Sequence, residues 1–297
     1  MMEPFQFKHR QYTEETTDVE TYHDLEAGDP AVLELKKWIS EMPELTAGFT
    51  TRIGGVSQGG RDSLNCALHV QDDPNHVVEN RKRLASVVNM PFDAWTCAEQ
   101  VHGQDVYVVK AADKGKGRLE REDAIPDSDA LITTEAGIWL TSFYADCVPL
   151  LFVDPVTRAI GVAHAGWKGT VGRIAERTVE AMQRTYGSEL TNIRAAIGPS
   201  IGACCYEVDE RVIHPIQQLL HGLPKEANAA LKPTNEGRAM LDLREINRQL
   251  LIQAGILSSH IECTTWCTGC HTQLFYSHRV EGGGTGRMAS WIGWKKG

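Results

Sequence analysis

Two apolar runs, CVPLLFVD at 147–154 and AIGVAHA at 159–165, are separated only by PVTR, and the first run closes on Asp154-Pro155. An Asp-Pro step marks a turn. Short continuous apolar runs bounded by a turn read as strands buried on both faces. An antiparallel hairpin built from them would bring its two open ends together. Cys147 opens the first strand and His164 nearly closes the second. The two side chains would then meet at one edge of a sheet. No other segment of the chain constrains the fold as tightly.

The surrounding pattern mixes both periodicities. DALIT at 129–133, IWLTSF at 138–143, IRAAIG at 193–198, the stretch 106–109 and the terminal RMASWIGW read as strands. Segments 31–42, 74–88, 171–186, 208–221 and 242–254 carry apolar residues at helical spacing, and Gly187 suits a C-terminal cap. Residues 110–127 are charged, contain GKG and read as a surface loop. No internal repeat is present. These elements predict an α/β (α+β) chain in which residues 31–297 form a single catalytic domain with a mixed central sheet flanked by helices. Residues 1–30 are expected to be a flexible or peripheral N-terminal arm.

Hydrophobic residues make up 42% of the chain, enough for a sizeable core, and the formal net charge is -9. No basic stripe suited to a nucleic acid is visible, and no apolar run reaches the length of a membrane span. The first twenty residues are acidic and lack an apolar centre, so neither a signal nor a transit peptide is expected. A cytoplasmic enzyme with reduced thiols is the expectation.

Chemistry-bearing residues fall in a few places. Cys66 and His69 lie in SLNCALHVQDD, His102 in EQVHGQDV, Cys147 in YADCVPLLFVD and His164 in AHAGWKGTVGR. A thiolate and an imidazole at a sheet edge can ligate zinc with a third ligand from elsewhere. Alternatively, His164 can activate Cys147 as a nucleophile. A cysteine that opens an apolar strand is also an ordinary core residue. Spacing alone leaves both His69 and His102 open as the third ligand. The glycine-flanked Lys168 after His164, and Arg52 in TRIGGVSQGG, suit an anion such as phosphate. Structural zinc sites pair one C-x-x-C with a second pair far off in sequence. Four ligands drawn from Cys263, Cys267, Cys270 and His271 alone would strain the backbone. The adjacent Cys204 and Cys205 read as core or pocket lining, because neighbouring thiols rarely bridge.

TRIGGVS, SLNCALHV, ENRKRL, EQVHG, ADCVPLLFVDP, AHAGWKGTVGRI, AAIGPSIGACCYEV, CTGCHTQLFYSHR and TGRMAS occur in that order. From about residue 47 to about 293 the chain resembles the laccase-domain family, also called peptidoglycan editing factor or multicopper polyphenol oxidoreductase. The resemblance implies an α/β domain that holds one zinc ion through two histidines and a cysteine. Matched motif by motif, these are His102, Cys147 and His164. It further implies a purine nucleoside phosphorylase that also deaminates adenosine and cleaves methylthioadenosine. Gln71, the long loop 110–127, and Cys270 with His271 depart from the family pattern.

The expected partners are therefore purine nucleosides and inorganic phosphate. Arg52 and Lys168 are candidates to hold phosphate, and Asp146 and His69 are candidate catalytic groups. Asp146, which neighbours a ligand, could instead orient a histidine. A cysteine-dependent hydrolase of peptidoglycan precursors is the main alternative, and a regulatory non-enzyme is a further one. Copper-dependent phenol oxidation ranks lower, because the eleven histidines are scattered and form no H-x-H pair. Nothing in the sequence sets an oligomeric state.

Overall fold

Strands β8 (Val148–Asp154) and β9 (Ala159–Ala165) form the antiparallel hairpin that the two apolar runs predict, with Val148 opposite Ala165 and Asp154 opposite Ala159. The Asp154 carboxylate closes the turn by accepting from the Val156 amide at 2.9 Å and the Thr157 hydroxyl at 2.7 Å. The computed structural model describes residues 2–8 and 29–296, so the arm expected at 1–30 lies largely outside the described residues.

The hairpin is the centre of a six-stranded sheet. From edge to edge it runs β14 (Ile261–Cys263), β10 (Arg194–Ile197), β8, β9, β6 (Ala130–Thr133) and β5 (Val106–Val108). A second six-stranded sheet runs β1 (Phe5–Phe7), β2 (Val32–Leu35), β3 (Leu45–Thr50), β15 (Met288–Trp294), β7 (Trp139–Tyr144) and β4 (Trp95–Cys97). A small third sheet joins β11 (Glu207–Asp209), β13 (Arg238–Leu241) and β12 (Leu231–Pro233). The α/β class matches the sequence reading. The single central sheet does not, and two large sheets replace it.

The side-chain alternation of β8 shows why two sheets are needed. Val148, Leu150 and Phe152 face α4 (Ile174–Tyr186), α5 (Glu210–Leu220) and α6 (Leu243–Gln253), packing with Val179, Ile216 and Leu250. Leu151 and Val153 point the other way and meet Phe49, Leu140 and Ile292 of the second sheet. Each such fully buried side chain contributes about 1.5–3 kcal/mol. The outer face of the second sheet carries Trp95, Trp139 and Trp291, covered by Leu84 and Ala85 of α2 (Pro74–Val87). The layers are therefore helix, sheet, sheet, helix. Asp73 caps α2 by accepting from the Asn75 amide, and Pro74 occupies its first turn.

Two local readings change. Residues 31–42 are not one helix, because Val32–Leu35 pairs with both β1 and β3 and only α1 (Lys36–Glu41) is helical. The helix expected over 171–186 is two pieces, α3 (Trp167–Val171) and α4, broken where Arg173 takes a left-handed φ of 59°.

Candidate metal centre

The hairpin register places Pro149 opposite His164, so Cys147 lies just beyond the last pair at the open end. β6 pairs with β9 on the other side, with Ala130 opposite Ala163. Asp129, the residue before β6, thereby lies beside His164. Its carbonyl accepts from the His164 amide at 2.7 Å, and its carboxylate meets His164 Nδ1 at 2.8 Å. The same carboxylate accepts from three successive amides, those of Val101, His102 and Gly103, at 3.1, 3.1 and 2.6 Å. One buried acid thus fixes His164 and the loop that carries His102. The loop is also clamped by Gln100, whose amide exchanges two hydrogen bonds with the Phe143 backbone on β7, at 2.9 and 2.8 Å.

His102, Cys147 and His164 converge, their ligand atoms all within 4.8 Å of one another. His102 is exposed, Cys147 half-buried and His164 buried, so the cluster opens on the His102 side. The imidazoles of His102 and His164 meet edge to face, 4.8 Å between centroids. His102 and Asp146 both hold left-handed backbone, with φ of 59° and 85°. Such conformations cost about 1–3 kcal/mol each and persist where the surroundings impose them.

The electrostatics suit a cation. Burial opposes the thiolate of Cys147, but the charge of His164 and hydrogen bonds to His102 and His164 outweigh it and bring the thiol down to about 6. Burial likewise opposes the imidazolium of His164, but Cys147 and Asp129 outweigh it and raise that group to about 9. Asp129 is held below the usual carboxylate range, because His164 and the amides of Gly103 and Val101 outweigh its burial. With Nδ1 of His164 committed to Asp129, Nε2 is the nitrogen left for a ligand bond. Gly166 keeps the space beside the cluster open. A Cβ there would lie 3.0 Å from Cys147 Sγ and 3.3 Å from His102 Cδ2. A thiolate, two imidazoles and an open side fit a metal ion with one exchangeable position.

The other residues singled out in the sequence are placed as follows. Asp146 precedes Cys147, but its carboxylate accepts from the Thr268 hydroxyl at 2.6 Å and the Arg279 amide at 2.7 Å. The acid that orients a histidine is therefore Asp129, which sequence reasoning missed. Arg52 donates to the carbonyls of Asp62 and Thr272, pairs with Glu281 at 2.8 Å and stacks over Tyr276. Lys168 is exposed on α3, its ammonium 5.8 Å from the Trp167 ring centroid. His69 lines a small cleft of about 60 Å³ with Gln100, Arg121 and Phe143. Burial, reinforced by Arg287, Arg121 and Arg81, depresses His69 to about 4. Arg287, from TGRMAS, is a second group that the sequence did not reveal. It is close enough to Cys147 and Asp146 to feel both charges. Its Nη1 donates to the carbonyls of Thr285 and Gly286. No described helix is long and apolar enough to cross a membrane.

Comparison with known proteins agrees with this architecture. A family model described as multi-copper polyphenol oxidoreductase laccase matches residues 46–295. Purine nucleoside phosphorylase YlmD of Geobacillus stearothermophilus is 45% identical over 247 residues, covering 83% of this chain and 89% of that one. Purine nucleoside phosphorylase YlmD of Bacillus subtilis is 42% identical over 279 residues, 93% of this chain and 99% of that one. The crystal structure of the Bacillus licheniformis hypothetical protein YfiH superposes with a TM-score of 0.85 at 43% identity, covering 89% of this chain and 96% of that one. The chain belongs to the multi-copper polyphenol oxidoreductase laccase family, and the two relatives named here carry the name purine nucleoside phosphorylase.

Proposed function

We propose that the chain is a zinc-dependent purine nucleoside phosphorylase acting on adenosine, inosine and methylthioadenosine, with adenosine deamination as a side activity. The observation that carries this reading is the convergence of His102, Cys147 and His164 beneath the Asp129 carboxylate, open on one side. Two imidazoles and one thiolate form a donor set of the borderline softness that zinc takes. Among the described residues, the groups of three or more close metal-ligating side chains are this one and a four-cysteine group, so no histidine-rich copper cluster accompanies it. When bound, the ion supplies Lewis-acid polarisation of an oxygen in the site.

The chain's own groups divide the remaining work. In phosphorolysis a phosphate oxygen bonds to the ribose anomeric carbon while the bond to the purine nitrogen breaks. The bonding pair leaves with the purine, which takes up a proton. Lys168, exposed on α3 shortly after His164, and Arg287, near enough to Cys147 to feel its charge, are the candidates to hold the phosphate. Arg52 can join them only by sharing the cation that now pairs with Glu281. His69 is held neutral, so at pH 7 it can accept a hydrogen bond from a ribose hydroxyl and carries no proton for the purine. Asp146, beside Cys147, is the candidate relay, taking a proton from the phosphate and passing it to the purine at the expense of its bond with Thr268.

A second reading rests on one observation. Cys147, His164 and Asp129 are also arranged as nucleophile, base and orienting acid, as a cysteine-dependent hydrolase of peptidoglycan precursors requires. A screen of nucleosides with and without phosphate, on protein of known metal content, separates the two. The phosphorylase reading expects base release that depends on phosphate and on the metal. Metal-independent hydrolysis blocked by alkylation of Cys147 supports the other.

A further inference from the structure

The parallel pairing of β10 with β14 sets Ile197 beside Cys263, so two loops leave the same sheet edge together. The pairing continues past the strands. The Thr264 amide donates to Ile197 and the Thr268 amide to Ser200, both carbonyls, with Ser200 and Cys267 forming an isolated bridge. One loop carries Cys204 and Cys205, and the other carries Cys267 and Cys270. Their four sulfurs all lie within 4.8 Å of one another.

We propose that Cys204, Cys205, Cys267 and Cys270 form a second metal site, holding one zinc-class divalent ion in a tetrahedral shell of four thiolates. This proposal does not rest on the purine-nucleoside reading, because the cluster shares no ligand with the first centre.

The distances favour an ion over a disulfide. Cys204 Sγ is 3.5 Å from Cys267 Sγ and 3.3 Å from Cys270 Sγ, and Cys205 Sγ is 3.4 Å from Cys270 Sγ. A disulfide needs about 2.05 Å. Four sulfurs about 2.3 Å from one zinc ion stand roughly 3.8 Å apart. One ion satisfies all four groups at once, whereas disulfides would have to select pairs. All four sulfurs converge on one point, which suits a single ion.

The loops are shaped around the sulfurs. The Gly202 amide donates to Cys267 Sγ at 3.2 Å, the kind of outer contact that steadies a metal-bound thiolate. A turn at Gly202, whose carbonyl accepts from the Cys205 and Tyr206 amides, folds the adjacent cysteines towards the facing loop. A Cβ on Gly269 would lie 2.8 Å from Cys205 Cβ and 3.1 Å from its Sγ, so glycine is required at that close approach. Arg244 donates to the carbonyls of Thr264 and Trp266 and places a cation beside a shell whose net charge would be negative. Cys263 and His271 take no part. The Cys263 thiol donates to the Thr264 carbonyl, and His271 Nδ1 meets the Cys267 carbonyl.

Binding exchanges thiol protons for the ion, with no change in oxidation state. The consequence reaches the first centre, because Thr268 sits inside the Cys267–Cys270 turn and donates to Asp146, the neighbour of Cys147. The second ion would pin that turn to the facing loop and so hold Asp146 in position.

The test is metal content by mass spectrometry on the full chain purified with reductant. Wild type is expected to hold two zinc ions per chain. His102→Ala should retain one, and the double variant Cys204→Ser with Cys270→Ser should lose the other. Cobalt substitution of wild type gives a second readout that needs no variant, since sulfur-to-cobalt charge-transfer absorption grows with the number of thiolates. A fill of two cobalt ions should give the intensity of five thiolates rather than one. If the double variant holds as much zinc as wild type, the proposal is overturned. It is also overturned if reduced wild type shows only single-thiolate cobalt absorption, or if a disulfide joins these cysteines in metal-loaded protein. One zinc that survives His102→Ala but not the cysteine variant would uphold this site and remove the first.

Discussion

Asp129 Oδ1 lies 2.8 Å from His164 Nδ1, and both side chains are buried. The same carboxylate holds the amides of the His102 loop, so a single acid aligns two ligands that are 62 residues apart in sequence, at positions 102 and 164. Asp129→Asn keeps the shape but removes the charge and one acceptor. Loss of such an orienting partner lowers metal affinity by about 10–100-fold. Competition with a chelator measures this, and unchanged affinity would show that the imidazoles are oriented by something else.

Gly166→Ala probes the room beside the ligands. The φ of Gly166 is -66°, which alanine adopts without strain, so the fold should be retained. The new Cβ would press on Cys147 Sγ and His102 Cδ2. The expected result is a loss of metal affinity of about tenfold or more, with a melting temperature close to wild type when both are metal-free. Unaltered metal binding would contradict the geometry.

The hairpin was legible because its two apolar runs are short, continuous and joined by an unmistakable turn. Cys147 and His164 could therefore be placed together from sequence. Asp129 could not, because an aspartate before a strand is ordinary until β6 is known to pair with β9. The two-sheet architecture was hidden for the same reason. Val32–Leu35 has the apolar content of a helix or a strand, and only its partners β1 and β3 decide. The rule that a C-x-x-C needs a distant second pair was available. The distant pair was Cys204 and Cys205, which only the β10–β14 register brings into reach.

His69 gives the stability a pH dependence. Its folded value of about 4 lies below the ordinary histidine value of 6.5, so the unfolded chain binds the proton more readily. The stabilisation is complete above pH 6.5 and is lost as pH falls towards 4. The slope is at most one proton, about 1.4 kcal/mol per pH unit. His69→Gln should flatten urea-unfolding stability across that window. An identical slope in the variant would rule out His69 as the source.

Arg81 is fully buried and donates to the carbonyls of Cys66, Gly117 and Arg118 at 2.8, 2.6 and 2.9 Å. It ties α2 to the SLNCALHV segment and to the long loop 110–127. Its guanidinium also packs against Trp95 and Phe143, at 5.1 and 5.0 Å from their ring centroids. Arg81→Met leaves three carbonyls without this donor, and a cost of about 3 kcal/mol or more is expected. Urea unfolding measures it, and a change below about 0.5 kcal/mol would mean that the carbonyls find other donors.

In the proposed function, His102, Cys147 and His164 hold a zinc ion that serves phosphorolysis of purine nucleosides. The decisive experiment incubates inosine and phosphate with zinc-loaded wild type and with His102→Ala, reading ribose 1-phosphate by phosphorus NMR and hypoxanthine by chromatography with ultraviolet detection. Wild type should give ribose 1-phosphate and hypoxanthine in equal amounts, with no product in the absence of phosphate and none from His102→Ala. Hypoxanthine released with free ribose, at a rate that ignores phosphate, would contradict phosphorolysis.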